Sequence, residues 1–212
     1  MTPRAGQTKK RTRIQEINEQ RILDAAMEIF ASQGFKGSTI DQIAARANMS
    51  KPNLLYYFRR KQDIYLALLE HTLKDWLAPL ESLSRDGDPF EQIGNYIKLK
   101  LQSSRLHPMA SRLFANEILH GAPMIGNLLA TELKDIVDRK AEVIQGWIDQ
   151  RLITPIDPHQ LIFMIWAATQ THADFQVQAR AVIGDEIDDT EYWEKISQST
   201  LTLFLQGLRP NR

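Results

Sequence analysis

The sequence predicts an all-α protein in two parts, a small N-terminal head and a larger body. Three observations carry this. Apolar residues recur at helical spacing almost throughout, with no run of alternating β-branched residues between turn signals. Gly and Pro cut the chain into segments of helix length. Charge is divided along the chain: the 212 residues sum to zero, yet residues 1–61 carry 12 Lys or Arg against 5 Asp or Glu, a balance of +7. Residues 62–212 carry 14 against 21, a balance of −7. A basic head on an acidic body points to a head that meets phosphates and a body with another task.

Residues 1–13, with Lys9, Lys10 and Arg11 and almost no apolar content, read as a basic flexible arm. A helix starts near Thr12, where Thr12 and Gln15 have capping-box spacing, carries Ile22, Ala26, Ile29 and Phe30 on one face, and ends at Gly34. Ser38 or Thr39 caps the next short helix, IDQIAARA, which runs into the turn Asn48, Met49, Ser50. Ser50 is a suitable N-cap and Pro52 falls in the first helical turn, so KPNLLYYF is a third short helix. A long helix follows from Lys61 until Pro79 disturbs it, with Ile64, Leu68 and Trp76 on one side. Further helices are separated at residues 86–88, at Pro108, at 121–123, at 155–158 and at 184–189. Those from about Pro158 to Phe175 and from about Thr190 to Gly207 either pack on a partner subunit or complete the core of one chain.

A composition of 43% hydrophobic and 25% charged residues is that of a globular chain. No stretch approaches the roughly 20 apolar residues that span a bilayer, and the basic N-terminus lacks the apolar core of a signal peptide. The absence of cysteine excludes disulfides, thiolate catalysis and cysteine-ligated zinc. A cytoplasmic protein without membrane partners is expected.

Two short helices joined by a tight turn, with a third before them, make a helix-turn-helix whose second helix enters the major groove of DNA. On that helix Leu54, Leu55 and Phe58 share the inward face, leaving Lys51, Asn53, Tyr56 and Tyr57 to look outward or sideways. Lysine can donate to guanine or phosphate, asparagine can pair with adenine, and tyrosine offers a hydroxyl to phosphate and a ring to thymine methyls. Tyr57 fits core or contact equally. Arg59, Arg60 and Lys61, at the start of the long helix, are placed to hold a phosphate. The full set expected at DNA is Thr39, Lys51, Pro52, Asn53, Tyr56, Tyr57 and Lys61.

The run TIDQIAARANMSKPNLLYYFRRKQDIYLALL resembles the DNA-binding domain of the TetR family of bacterial transcriptional regulators, with Met49, Ser50, Leu54, Phe58, Lys61 and Ile64 matching in order. Leu55 stands where the family usually has a tyrosine, so that residue's phosphate contact does not carry over. The resemblance implies a helix-turn-helix domain over 14–61, an α-helical ligand-binding and dimerisation domain over 62–212, and a homodimer on a partly palindromic operator. Half-sites about 34 to 36 Å apart, or a multiple, follow from the symmetry.

The body has no catalytic signature: no Gly-x-Ser-x-Gly elbow, no phosphate-binding glycine loop, no His-Glu-x-x-His helix. Glu117 and His120 have the Glu-x-x-His spacing of some di-metal sites, but one isolated copy makes no metal site. Neither an enzyme nor a cofactor protein is expected. In IDPHQLIFMIWAATQTHADF an apolar first half, as in a buried helix, is followed by Thr169, Gln170, Thr171, His172 and Asp174. Trp166 and Gln170, four apart, share a face. An aromatic plate beside a carboxamide suits a flat ring with a cis-amide edge; equally, it suits an interface tryptophan beside a glutamine bonded across a dimer.

The segments DWLAPL, IKLKL, SRLF, GAP and PIDPHQLIFMIWA resemble the pyrimidine-responsive branch of the TetR family. This second resemblance implies uracil or thymine as effector, control of pyrimidine-degradation and related nitrogen-metabolism genes, and ligand contacts at Trp76, Trp166 and Gln170. Arg112, Asn116 and Glu117 in SRLFANE either complete such a pocket or pair along their own helix.

Overall fold

A computed structural model describes residues 13–210. Regular structure among the described residues is helical, without a strand. The head comprises α1 (Arg13–Gly37), α2 (Ile40–Arg46), α3 (Lys51–Tyr57) and the start of α4 (Lys61–Glu81). There follow α5 (Pro89–Leu106), α6 (Pro108–Leu119), α7 (Gly126–Leu128), α8 (Lys134–Asp149), α9 (Pro158–Asp174), α10 (Gln176–Ile183) and α11 (Thr190–Gly207). A π-helical segment, Leu129–Leu133, joins α7 to α8, and a 3₁₀ turn, Asp185–Asp188, precedes α11. The expected basic arm up to Thr12, and with it the Thr12 cap, lies outside the described residues.

The chain divides into two compact units between Leu68 and Leu69, inside α4 and not at residue 61. The first turns of α4 belong to the head because they close its core. Ile64, Tyr65 and Leu68 are buried there, with the Tyr65 ring edge-on to Phe30 at 5.2 Å and 4.8 Å from Phe35. Ile22, Phe30, Ile43 and Leu54 complete this core, each at most 1% exposed. Burying side chains of this size contributes about 1.5–3 kcal/mol each.

Local sequence explains the head's short elements. Gly34, at φ 70°, breaks α1 where the sequence places the break, although helical residues resume to Gly37. Thr39 and Gln42 form a reciprocal capping box at α2. Asn48 takes φ 54° in the turn, a conformation asparagine tolerates, and the Met49 N–H donates to Ala44 O at 2.9 Å. Ser50 accepts from the Asn53 N–H, and Pro52 sits in the first turn of α3.

In the larger unit α9 packs against α5, α6 and α8, while α11 packs on α5. Asp88 and Asp157 cap α5 and α9 in the same way, each accepting from the N–H three residues on, with proline at the first helical position. Pro79 does not end α4, which runs on to Glu81. So close to the C-terminus it removes a single helix hydrogen bond, and the Ser82 hydroxyl donates to its carbonyl at 2.7 Å. The first half of α9 is not buried all round either: Leu161, Ile162 and Ile165 are buried, but Phe163 and Met164 are 48% and 44% exposed.

Candidate functional site: a helix-turn-helix surface and a ligand cavity

In the head, α3 is held by Leu54, which is fully buried, while Leu55 and Phe58 are only half-buried. Phe58 is the C-cap, its N–H donating to Leu54 O at 3.0 Å, so the inward face rests mainly on one leucine. Lys51, Pro52, Asn53 and Tyr56 are exposed side by side. Lys51 pairs with Asp41 at 2.9 Å, with both side chains at least half exposed; such a pair contributes ~0–1 kcal/mol and yields readily to a phosphate. Tyr57 is half-buried, and its hydroxyl accepts from Asn18 Nδ2 at 2.8 Å, tying α3 to α1. Tyr56, edge-on to Tyr57, accepts from Gln15 Nε2 at 3.4 Å.

Two of the expected DNA contacts have structural duties. Thr39 is the α2 cap, and its hydroxyl also donates to Gln42 Oε1 at 3.0 Å. The Lys61 ammonium donates to Phe35 O at 2.5 Å and Ser38 O at 2.7 Å and lies 4.5 Å from the Phe35 ring centre. Lys61 therefore ties the end of α1 to α4. Arg60 forms a bidentate pair with Asp63, whose hydrogen bond holds that carboxyl below its ordinary range.

In the larger unit a cavity of ≈ 210 Å³ opens among α4, α5, α6, α9 and the π-helical segment. Leu73, Trp76 and Leu77 of α4 line it, with Phe114 and Ile118 of α6 and with Leu129 and Leu133. On α9, Trp166, Gln170 and Asp174 project as one stripe, four residues apart at each step. The Trp76 ring, 9% exposed, leans on Phe114 with centres 5.0 Å apart. Trp166 Nε1 donates to the Tyr96 hydroxyl at 2.5 Å, which fixes its plane; burial raises the Tyr96 pKa.

The charged groups of this cavity are Lys100 and Asp174. Lys100 is 2% exposed, its ammonium 4.6 Å from the Trp76 ring centre. Burial lowers its pKa to about 8, against the opposing pull of Asp174. Asp174 accepts from the Ser111 hydroxyl; burial raises its pKa, and that bond, Lys100 and Arg112 oppose the rise. The cavity thus has apolar walls, two indole plates, one carboxamide, one buried cation and one carboxylate, the equipment to orient a small flat polar ring.

Of the five residues expected at a ligand, Trp76, Trp166 and Gln170 line this cavity and Arg112 and Asn116 do not. Phe114 and Ile118 face the cavity, and Arg112 and Asn116 each lie two residues from one of them, about 200° around α6. Arg112 Nη1 instead donates to Gln176 Oε1 at 2.8 Å. Asn116 is exposed, and its carbonyl accepts from His120 Nδ1 at 2.7 Å. Glu117 is buried and accepts from the Met124 N–H at 2.6 Å, turned away from His120. No group of three or more His, Cys, Asp or Glu fit to hold a metal ion occurs among the described residues. Sequence reasoning missed Lys100 as a cavity-lining residue, although it lies in the apolar stripe Ile93, Ile97, Leu101 of α5, where a cation is out of place. It missed Asp174 too, although that residue continues the Trp166–Gln170 spacing.

Comparison with known proteins decides the family. Residues 22–68 match the model of bacterial regulatory proteins, tetR family, and residues 69–211 match that of the YcdC-like protein, C-terminal region. The chain belongs to the TetR family. It is 43% identical over 203 residues, 96% of either chain, to the HTH-type transcriptional regulator RutR of Escherichia coli strain K12, and equally to that of Shigella flexneri. Among solved structures, a TetR-family regulatory protein from Rhodococcus RHA1 superposes with a TM-score of 0.73 at 16% identity, over 92% of this chain and 98% of that one. The ketosteroid regulator KstR2 of Mycobacterium tuberculosis gives 0.67 at 16% identity, over 91% and 95%. As a member of this family the chain is a DNA-binding transcriptional regulator and not an enzyme. Among the described residues no helix is long and apolar enough to cross a membrane.

Proposed function

We propose that the chain is a cytoplasmic, homodimeric repressor that senses uracil or thymine and controls genes of pyrimidine degradation and related nitrogen metabolism. The observation that carries this reading is the convergence of Trp76, Trp166 and Gln170 on one cavity of ≈ 210 Å³. That is small for a ligand site, below the roughly 300–1,000 Å³ of drug-sized pockets, so a single flat ring is the matching size. The amide of Gln170 donates and accepts at once, as the edge of a cyclic imide does. Similarity to RutR across 96% of both chains, ligand domain included, supports the same assignment.

In this reading Lys51, Pro52, Asn53 and Tyr56 on the exposed side of α3 meet the operator's major groove, with Thr39 and Tyr57 at the edge. Lys61 contributes by fixing the frame. Exposed Phe163 and Met164 on α9 and Leu203 on α11 support a subunit interface on those helices. The effector acts by favouring a conformation with the wrong spacing of the two recognition helices. Helix α4, which supplies Trp76 to the cavity and begins at Lys61, is the element that carries the change.

Thermal unfolding with uracil, thymine, cytosine, uridine and barbiturate tests the assignment. A ligand at ~100 times its dissociation constant stabilises the native state by about 2.7 kcal/mol. A response to uracil or thymine that is lost in Gln170→Ala is expected. Silence towards every pyrimidine would overturn the pyrimidine assignment. The apolar walls favour one second reading, a TetR-type repressor for another small planar or hydrophobic compound, which the same assay detects with an extended panel.

A further inference from the structure

Lys100 and Asp174 are the charged groups in the cavity that Trp76, Trp166 and Gln170 leave unexplained. A buried ammonium has three N–H donors and needs acceptors for them. Among the described residues no hydrogen-bond acceptor meets it; its neighbours are the face of Trp76 and the field of Asp174. Lining the cavity, such a group can donate to a ligand oxygen. Asp174 lines the same cavity, and its bond from Ser111 uses only part of a carboxylate's accepting capacity. Lys100 can only donate and an ionised Asp174 can only accept, so the two together have a fixed polarity, unlike the amide of Gln170.

We propose that Lys100 and Asp174 form a second recognition pair, which reads a carbonyl oxygen and an adjacent ring N–H of the effector and so admits the free base while rejecting the same ring substituted at that nitrogen. The proposal rests on the pyrimidine reading. Uracil and thymine carry two carbonyls and two N–H groups. Gln170 supplies one donor and one acceptor, Lys100 a second donor and Asp174 a second acceptor, so the four ring groups and four protein groups match in number and sense. Trp76 provides the plate on which the ring lies, and the leucines of α4 and the π-helical segment take its apolar edge. A nucleoside lacks one of the N–H groups and would leave Asp174 facing a carbon. Sites that hydrogen-bond a ligand group reject analogues lacking it far more strongly than apolar pockets reject an extra methyl.

The test is calorimetric titration of the full-length protein with uracil, 1-methyluracil and 3-methyluracil. Wild type, Lys100→Met, Asp174→Ala and Gln170→Ala are compared, each checked for fold by circular dichroism and by operator binding. Wild type is expected to bind uracil and to disfavour both methylated rings. Lys100→Met, which keeps the chain length and removes the charge, is expected to weaken uracil about tenfold or more, as loss of a charge-assisted hydrogen bond does. Asp174→Ala should relax discrimination against one N-methyl isomer and Gln170→Ala against the other, because each pair reads a different nitrogen. Uracil affinity unchanged in Lys100→Met would overturn the pair while leaving the pyrimidine sensor standing. So would Asp174→Ala and Gln170→Ala relaxing the same isomer, or neither. Failure of wild type to bind uracil at all would overturn the uracil-sensor reading and the pair with it.

Discussion

Replacing Lys100 by methionine is expected to make the protein more stable. Lys100 is 2% exposed, and burial takes its pKa from 10.5 to about 8 with Asp174 already pulling the other way. The difference of about 2.5 units, at 1.36 kcal/mol each, means that the charged lysine costs the folded state roughly 3 kcal/mol. Because the folded pKa lies below the unfolded one, the unfolded chain binds the extra proton between about pH 8 and 10.5, and stability from this group rises with pH across that window. Below about pH 8 the whole cost is present. Asp174 and, through it, Arg112 are the charged groups that share this environment. Methionine has a similar length and adapts to irregular space beside Trp76. Urea unfolding at pH 7 should therefore find Lys100→Met more stable by up to about 3 kcal/mol, a rise in Tm of about 6–12 °C for a chain of this size. The advantage should shrink towards zero by about pH 10.5. Wild type and variant with equal stability at pH 7, or curves parallel from pH 7 to 10, would show that Lys100 is not held charged in an apolar site. Stability lost to a buried cation whose removal impairs ligand binding is the ordinary cost of a functional site.

Other residues separate folding from recognition. Lys61→Met should destabilise the protein by about 2 kcal/mol in urea unfolding, because two carbonyls at the end of α1 lose a charged donor. Tyr57→Phe should cost roughly 1 kcal/mol through loss of the Asn18 bond, whereas Tyr56→Phe should leave stability unchanged and weaken operator binding measured by fluorescence anisotropy. Lys51→Ala should either lower the salt slope of operator binding by about one, if it meets a phosphate, or relax preference at one base pair by ~1–3 kcal/mol, if it meets a base. A variant that changes neither would remove Lys51 from the DNA interface.

Helix boundaries in the head were legible because they depend on a few local rules. Ser50 and Pro52 set the start of α3, Thr39, one of the two caps the sequence offered with Ser38, that of α2, and Gly34 the break in α1. The same local signal placed the start of α9 at Pro158. Pro79 misled because a proline's effect depends on how much helix remains to be disturbed, and only two residues of α4 follow it. Trp166 and Gln170 could be paired because both lie on one helix, where spacing fixes the face. Which residues of α6 turn towards the cavity is decided by packing between helices, so spacing alone could not show that Phe114, Ala115 and Ile118 line it and Arg112 and Asn116 do not. Lys100 was hidden for the opposite reason: its position in the apolar stripe marks it as buried, but its role emerges only when α4, α5 and α9 bring it against Trp76 and Asp174.

The central claim, a pyrimidine signal converted into release of DNA, is tested most directly by titrating operator DNA with and without saturating uracil. A coupling of ~1–3 kcal/mol predicts operator affinity about 5- to 150-fold weaker with uracil present, and no change for Gln170→Ala under the same conditions. Uracil that stabilises the protein against heat yet leaves operator affinity unchanged would contradict the account.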